Sequence, residues 1–379
     1  MNVNAPARLE KGTRSANKSR LRRALAAIPV VGTILLASAC AAPAPAAPEE
    51  EELVTLRIGS APAAGMIAVW VALENGLFLD HGLDIEMKEF NTGGEVTQAI
   101  AAGHLDAGIA NLSNSVPLAR AGGTMLKATS LTTEPDPSAI YVSERFGVLA
   151  RADSGVTSSN PKAIKGKKVG LQVGGTPELY FRNYLKSLGL TPDDVDIQNI
   201  PVTDLGVALE QSIVDVGVTW DPNILRHRNQ MGNAIVLVQE GGSFVSDLGV
   251  WVASDELLEK RPEVAKSMLR AIVEANVMLH KDPKIGVEVA TRYMSGLSAE
   301  EAKYMLAKGN FDPRASVCTR EDFKRGQDEL IAGGRLEASK AFKFEDLVAV
   351  DLLDSVLKEY KDDFAARKLP TKVQDCLGY

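Results

Sequence analysis

Two segments 109 positions apart share one pattern: Asp106–Asn114 reads DAGIANLSN and Asp215–Asn223 reads DVGVTWDPN. Each has Asp, a small apolar residue, Gly, a β-branched residue, then a polar loop ending in Asn. Each follows a short helical pattern, QAIAAGHL before the first and ALEQSIV before the second. The similarity extends upstream, where LRIGSAPAAG (Leu56–Gly65) and KVGLQVGGTPE (Lys168–Glu178) both run from a strand pattern through a Gly-containing loop into a helix. Internal repetition of this kind means that one α/β unit is used twice. The expected product is an α/β protein of two lobes, each a mainly parallel sheet flanked by helices, with a cleft between them.

The N-terminus stands outside this pattern. Residues 1–23 are polar and basic, 24–36 are mostly apolar, and Ala37-Ser38-Ala39-Cys40 follows. A basic region, a short apolar run and small residues at the cut make a secretory signal peptide over 1–39. The apolar run falls short of the about 20 residues that span a bilayer. Small residues directly before Cys40 resemble a bacterial lipobox and make Cys40 the expected lipidation site. Ala37-Ser38-Ala39 also fits plain signal cleavage at the same bond. Residues 41–52, AAPAPAAPEEEE, complete a 40–52 tether kept extended by Pro and solvated by Glu. Loss of 1–39 removes seven basic residues and one acid, so the net charge moves from −7 to −13. An acidic exported chain has no electrostatic footprint for nucleic acid. Cys318 and Cys376 remain; in an oxidising compartment they either pair or leave one buried thiol and one in the tail.

Along the chain, hydrophobic periodicity predicts strands at 53–59, 83–90, 107–110, 125–132, 146–151, 168–173, 195–200, 216–219, 234–239 and 244–253. Helices are expected between them, then at 255–281, after a Ser298–Glu301 capping box, around 323–331 with Thr319 as cap, and over 344–367. Strand 146–151 is expected to carry the chain into the second lobe and 244–253 to bring it back. The expected lobes are thus 53–145, 146–248, and a return at 249–379 that adds C-terminal helices.

Ligands of parallel α/β sheets bind at the carboxyl ends of the strands, where helix N-termini present free N–H groups. Four loops meet this condition, two from each lobe. The candidate ligand-binding residues are Ser60, Ala61, Ala64 and Gly65; Asn111 and Ser113; Gly174, Gly175 and Thr176; and Trp220 and Asp221. Trp220 is either a stacking wall or core, and Asp221 either a ligand contact or a helix cap. Asp106 and Asp215, just before buried strands, are expected to be structural. No P-loop, G-x-G-x-x-G, G-x-S-x-G or H-E-x-x-H is present, which argues against an enzyme. His81, His104, His227 and His280 have no metal-ligand spacing, and two cysteines hold no metal cluster; no metal or cofactor is expected.

The series LRIG…ENGLFLDHGLDIEMKEFNTGGEVTQAIAAGHLDAGIAN, then VGLQVGGTPELYFRNYLKSLGLTPDDVDIQNIPV, then DVGVTWDPN, resembles the nitrate/sulfonate/taurine/bicarbonate solute-binding proteins of ABC importers. The resemblance covers residues 53 to about 280. It implies a type II periplasmic-binding-protein fold, a small anion sealed between the lobes, and a permease and an ATPase as partners; a monomer is expected, anchored to the outer face of the cytoplasmic membrane or in the periplasm. None of the four loops carries Arg or Lys, which leaves a heteroaromatic solute such as a thiamine-pyrimidine precursor open as a second expectation, with an exported sensor on the same fold as a third. The related pyrimidine-synthesising enzyme calls for a Cys-rich iron motif that this chain does not carry.

Overall fold

The structure, a computed structural model, describes residues 53–378 apart from 62, 113–114, 124–125, 133–136, 141–144 and 247. The predicted signal peptide, Cys40 and tether lie outside the described residues. Among the described residues ten strands form two five-stranded sheets. In chain order they are β1 (Val54–Ser60), β2 (Leu83–Glu89), β3 (Ala107–Asn111), β4 (Leu126–Leu131), β5 (Phe146–Arg151), β6 (Lys168–Leu171), β7 (Asp196–Asn199), β8 (Val216–Trp220), β9 (Ile235–Glu240) and β10 (Gly249–Ser254).

The sheets run β2-β1-β3-β10-β4 and β7-β6-β8-β5-β9. Position by position these are the same sheet. In each, the first three strands are parallel, and the fourth, β10 or β5, is antiparallel to both of its neighbours. That fourth strand is the one that arrives from the other half of the chain. Both faces of each sheet are covered, so β10 buries Trp251 and Ala253 in one cluster and Val250 and Val252 in another. This two-sided burial explains its continuous apolar run in place of alternation.

The repeated motif has a steric purpose. Gly59 of β1 faces Gly108 of β3, and Gly170 of β6 faces Gly217 of β8. A Cβ at Gly59 would lie 2.6 Å from Leu105 Cδ1 and 2.8 Å from Val96 Cγ1. One at Gly217 would lie 3.0 Å from Leu209 Cδ1 and 3.2 Å from Leu205 Cδ1. The glycine pairs are therefore the floor on which helices Gly93–Ala101 and Leu205–Glu210 rest.

The repeated Asp also serves the same purpose twice. The backbone N–H of Asp106 donates to the Arg57 carbonyl and that of Asp215 to the Lys168 carbonyl, both at 2.9 Å. Each carboxylate accepts the N–H of the same residue in return, Arg57 at 2.9 Å and Lys168 at 3.0 Å. Asp106 also accepts from the guanidinium groups of Arg57 and Arg261. Burial opposes its charge, but these partners outweigh burial and hold the carboxyl below its ordinary range.

Several predicted elements are corrected. The 255–281 stretch is two helices, Asp255–Lys260 and Pro262–Lys281, because Pro262 withdraws a donor and restricts Arg261 before it. The cap of helix Val317–Ala332 is Ser316, whose Oγ accepts from the N–H groups of Cys318 and Thr319; Thr319 already lies in the first turn. Of the 244–253 stretch only 249–253 is strand, and the strand continues to Ser254. The 344–367 stretch holds helices Phe344–Leu347 and Val350–Leu357, followed by turns. Cys318 and Cys376 are disulfide-bonded, with Cα atoms 5.7 Å apart. Helix Val317–Ala332 bridges the lobes: Phe323 packs with the first sheet's core, Leu330 with the second's.

Gly108→Ala should destabilise the protein by about 1–3 kcal/mol through overpacking. Its Cβ meets Val96 and also the Gly59 carbonyl oxygen at 2.9 Å, so Val96→Ala should recover only part of the loss. Gly94→Ala, whose Cβ meets nothing nearer than Thr92 Oγ1 at 3.7 Å, should stay within about 0.5 kcal/mol of the parent; thermal unfolding compares all three. A carboxyl lowered in the folded state contributes stability that is complete above its unfolded pKa of about 4 and is lost as pH falls through its folded value. Asp106→Asn should therefore cost about 1–3 kcal/mol at pH 7 and progressively less at acid pH, as urea titrations at pH 7 and pH 3 would show.

Candidate functional site

A cavity of about 350 Å³ lies between the two sheets. The first lobe supplies Ala61 and Ala63 after β1, residues 91–95 and Gln98 around a helix start, and Ile109, Ala110 and Asn111 at the end of β3. Arg145 lines the cavity at the junction just before β5, and the second lobe supplies Phe146 at the start of β5, residues 172–177 after β6, and Trp220 at the end of β8. Two helix N-termini thus meet one space from opposite lobes, those of Gly93–Ala101 and Thr176–Ser187.

Local sequence dictates both starts. Thr92 caps the first helix, with its Oγ1 accepting from the Glu95 N–H, while the Glu95 carboxylate accepts from the Asn91 N–H. Gly93 lets the helix start lie close on β3, since a Cβ there would lie 3.2 Å from Ala110 Cα. The second helix has Gly175 as N-cap and Pro177 in its first turn. Gly174 has φ of +87°, a left-handed turn natural to glycine. Its N–H donates to Glu178 at 2.7 Å, and Arg182 pairs with the same carboxylate at 2.6 Å. Burial opposes ionisation of Glu178, yet the Gly174 N–H and Arg182 hold its carboxyl below the ordinary range.

Of the residues proposed from sequence, Ala61, Asn111, Gly174, Gly175, Thr176 and Trp220 are on the wall. Ser60, Ala64 and Gly65 are buried and not among the lining residues; a Cβ on Gly65 would already lie 2.7 Å from Ile109 Cδ1. Ser113 lies outside the described residues. Asp221 is not among the lining residues and is engaged by Lys308. Its side chain is fully buried, and Oδ2 accepts from Lys308 Nζ at 2.7 Å. Burial pushes its carboxyl up to about 6 against the opposing pull of Lys308. Asp221 is accordingly part of an ion pair and not a wall residue. His227 is a packing residue, with burial pushing its imidazole down to about 4.

Two parts of the wall escaped sequence reasoning. One is Arg145, which lies outside the four loops, just ahead of the crossing strand β5. It is 6% exposed, and its Nη1 donates to the Met305 carbonyl at 3.0 Å, which fixes the guanidinium. The other is the 91–98 stretch. Its signal was present as T-x-x-E at Thr92–Glu95, a helix start next to two glycines. Among the described residues no group of His, Cys, Asp and Glu is arranged to hold a metal ion.

The model of the NMT1/THI5-like family matches residues 64–285, more than half of the chain. The chain belongs to this family. Among its relatives are the taurine-binding periplasmic protein of Escherichia coli, 23% identical over 56% of this chain and 62% of its own length, and a yeast 4-amino-5-hydroxymethyl-2-methylpyrimidine phosphate synthase, 24% identical over 61% of this chain and 68% of its own. The chain spans about two thirds of the length of the curated relatives it matches. The alkanesulfonate-binding protein of Xanthomonas axonopodis bound to MOPS superposes with a TM-score of 0.63 at 19% identity, covering 78% of this chain and 98% of that one. The NMT1/THI5-like chain therefore has the two-lobed periplasmic-binding-protein fold expected from the resemblance.

Thr92→Ala should remove the cap of the cavity helix and cost about 1 kcal/mol of stability. Thermal unfolding and the helical circular dichroism signal would register it.

Proposed function

We propose that this NMT1/THI5-like protein is the extracytoplasmic solute-binding component of an ABC importer. It captures a small organic anion in the interlobe cavity and hands it to a membrane permease driven by an ATPase. One observation carries this reading: two helix N-termini from opposite lobes share one cavity wall with Arg145. N–H groups at helix starts and a fixed guanidinium are the groups that hold a sulfonate, carboxylate or similar anion. Trp220, Phe146, Ile109 and Val173 complete the wall and suit an apolar body attached to that anion. A cavity of about 350 Å³ is at the low end of the range for organic ligands and is generous for nitrate.

In this reading solute binds one lobe first and closure adds the other lobe's helix start. Closure is favoured only by the difference in affinity between the open and closed states. Export by the 1–39 signal, lipidation at Cys40, a monomeric state and binding without catalysis belong to the same proposal. So do the lobe boundaries 53–145, 146–248 and 249–379. Among the described residues no helix is long and apolar enough to cross a membrane, and the 40–52 tether would supply the attachment.

The test is a thermal-shift panel on the chain from residue 53 onward, with MOPS, taurine, alkyl and aryl sulfonates, aromatic carboxylates, nitrate, bicarbonate and a thiamine pyrimidine. A ligand that binds the folded state raises Tm by mass action. An organic anion should shift Tm, and Arg145→Met should weaken its binding by about tenfold or more, the loss of one charge-assisted hydrogen bond. A shift with the pyrimidine alone would favour the heteroaromatic reading, which the Phe146–Trp220 ring pair supports with centroids 6.4 Å apart. No shift with any of these compounds in a folded protein would contradict both.

A further inference from the structure

We infer that Lys308 is a positioning residue of the solute site, a latch that reaches from one lobe to hold the wall of the other. Helix Ala299–Ala307 belongs to the first lobe: Ala302, Met305 and Leu306 are buried in one cluster with Leu56, Ile58 and Trp70. Lys308 follows directly, yet it pairs with two carboxylates of the second lobe, one just past β8 and one at the end of β9. Its Nζ lies 2.7 Å from Asp221 Oδ2 and 2.5 Å from Glu240 Oε1. It also lies 3.2 Å from the Tyr304 hydroxyl, which donates to Glu240. Asp221 follows β8 and adjoins Trp220 of the cavity wall; Glu240 ends β9. One turn earlier, Met305 accepts the Arg145 hydrogen bond. A single helix end of the first lobe therefore grips the second lobe at the ends of three adjacent strands, beside two wall residues.

The burial of Asp221 turns this contact into a state-dependent force. Its carboxylate is shut away from water, and Lys308 is the main counter-charge that matches it, with a smaller contribution from Arg145. Removing one partner of a buried pair leaves a charge whose desolvation is uncompensated. Lobe opening would relieve that penalty by admitting water, whereas the intact pair favours the arrangement seen here. A contact made in one state and lost in the other biases the equilibrium between them. Lys308 thus governs how firmly the Trp220 wall is held over the cavity without touching the solute. Asp221, which sequence places among ligand contacts, is the anchor of this latch.

The test uses the chain from residue 53 onward, with Lys308→Met, Lys308→Arg and Tyr304→Phe. Small-angle X-ray scattering without added ligand should give Lys308→Met a larger radius of gyration than the parent, with Lys308→Arg restoring the parent value. This arm needs no solute, so its outcome stands apart from the proposed transport role. The binding arm rests on that role and uses MOPS as probe. Lys308→Met should release MOPS about tenfold faster with little change in association rate, since tuning of a given site is mostly in dissociation. A folded Lys308→Met with the parent's radius and the parent's release rate overturns the latch. If Lys308→Met loses cooperative unfolding, Tyr304→Phe decides. It removes one hydroxyl, and it should enlarge the radius in the same direction; a parent-like radius there overturns the proposal as well.

Discussion

A helix lies close on a parallel sheet only where the strands beneath it leave room. In both lobes that room is made by two glycines facing each other across adjacent strands. Gly59 and Gly108 carry helix Gly93–Ala101, and Gly170 and Gly217 carry helix Leu205–Glu210. With no Cβ at either position, Val96 in one lobe and Leu205 and Leu209 in the other settle into the sheet surface. The adjoining Asp locks the two strands reciprocally, its N–H donating to a backbone carbonyl across the pair and its carboxylate accepting that same residue's N–H. Strand register, helix height and the position of the helix's first turn are all consequences of this one arrangement.

The cavity draws on the two copies unequally. In the first lobe its wall takes the start of the helix after β2; in the second it takes the start of the helix after β6. Those are different positions in the repeat. The asymmetry lets two helix N-termini share one space, with Arg145 beside them at the point where the chain enters the second sheet. The guanidinium is held by a carbonyl of the C-terminal helices, so the last third of the chain contributes to a site whose wall it scarcely forms. The same helices carry Lys308, and helix Val317–Ala332 packs against both cores.

This pattern explains how much was legible in the sequence. The repeat announced the fold because its glycines and aspartates act locally, between neighbouring strands, and the same solution is used twice. The crossing strands were legible too, as continuous apolar runs. Symmetry then misled. Treating the copies as equivalent singled out Ser60, Ala64 and Gly65, which are buried and off the cavity lining, and passed over 91–95 and Gln98, which line it. Arg145 and the engagement of Asp221 by Lys308, 87 positions away, depend on contacts between distant segments. No spacing rule reports such contacts. Helix boundaries failed where one side chain decided them, at Pro262 and at Ser316.

Amide hydrogen exchange tests the central claim most directly, because the claim concerns N–H groups of both lobes acting on one solute. With a solute found to bind, the amides of 93–96 and of 175–179 should gain protection together, while the exposed turn at Gly155 exchanges as before. Protection confined to one lobe, or to neither, would contradict a site shared between the two helix starts.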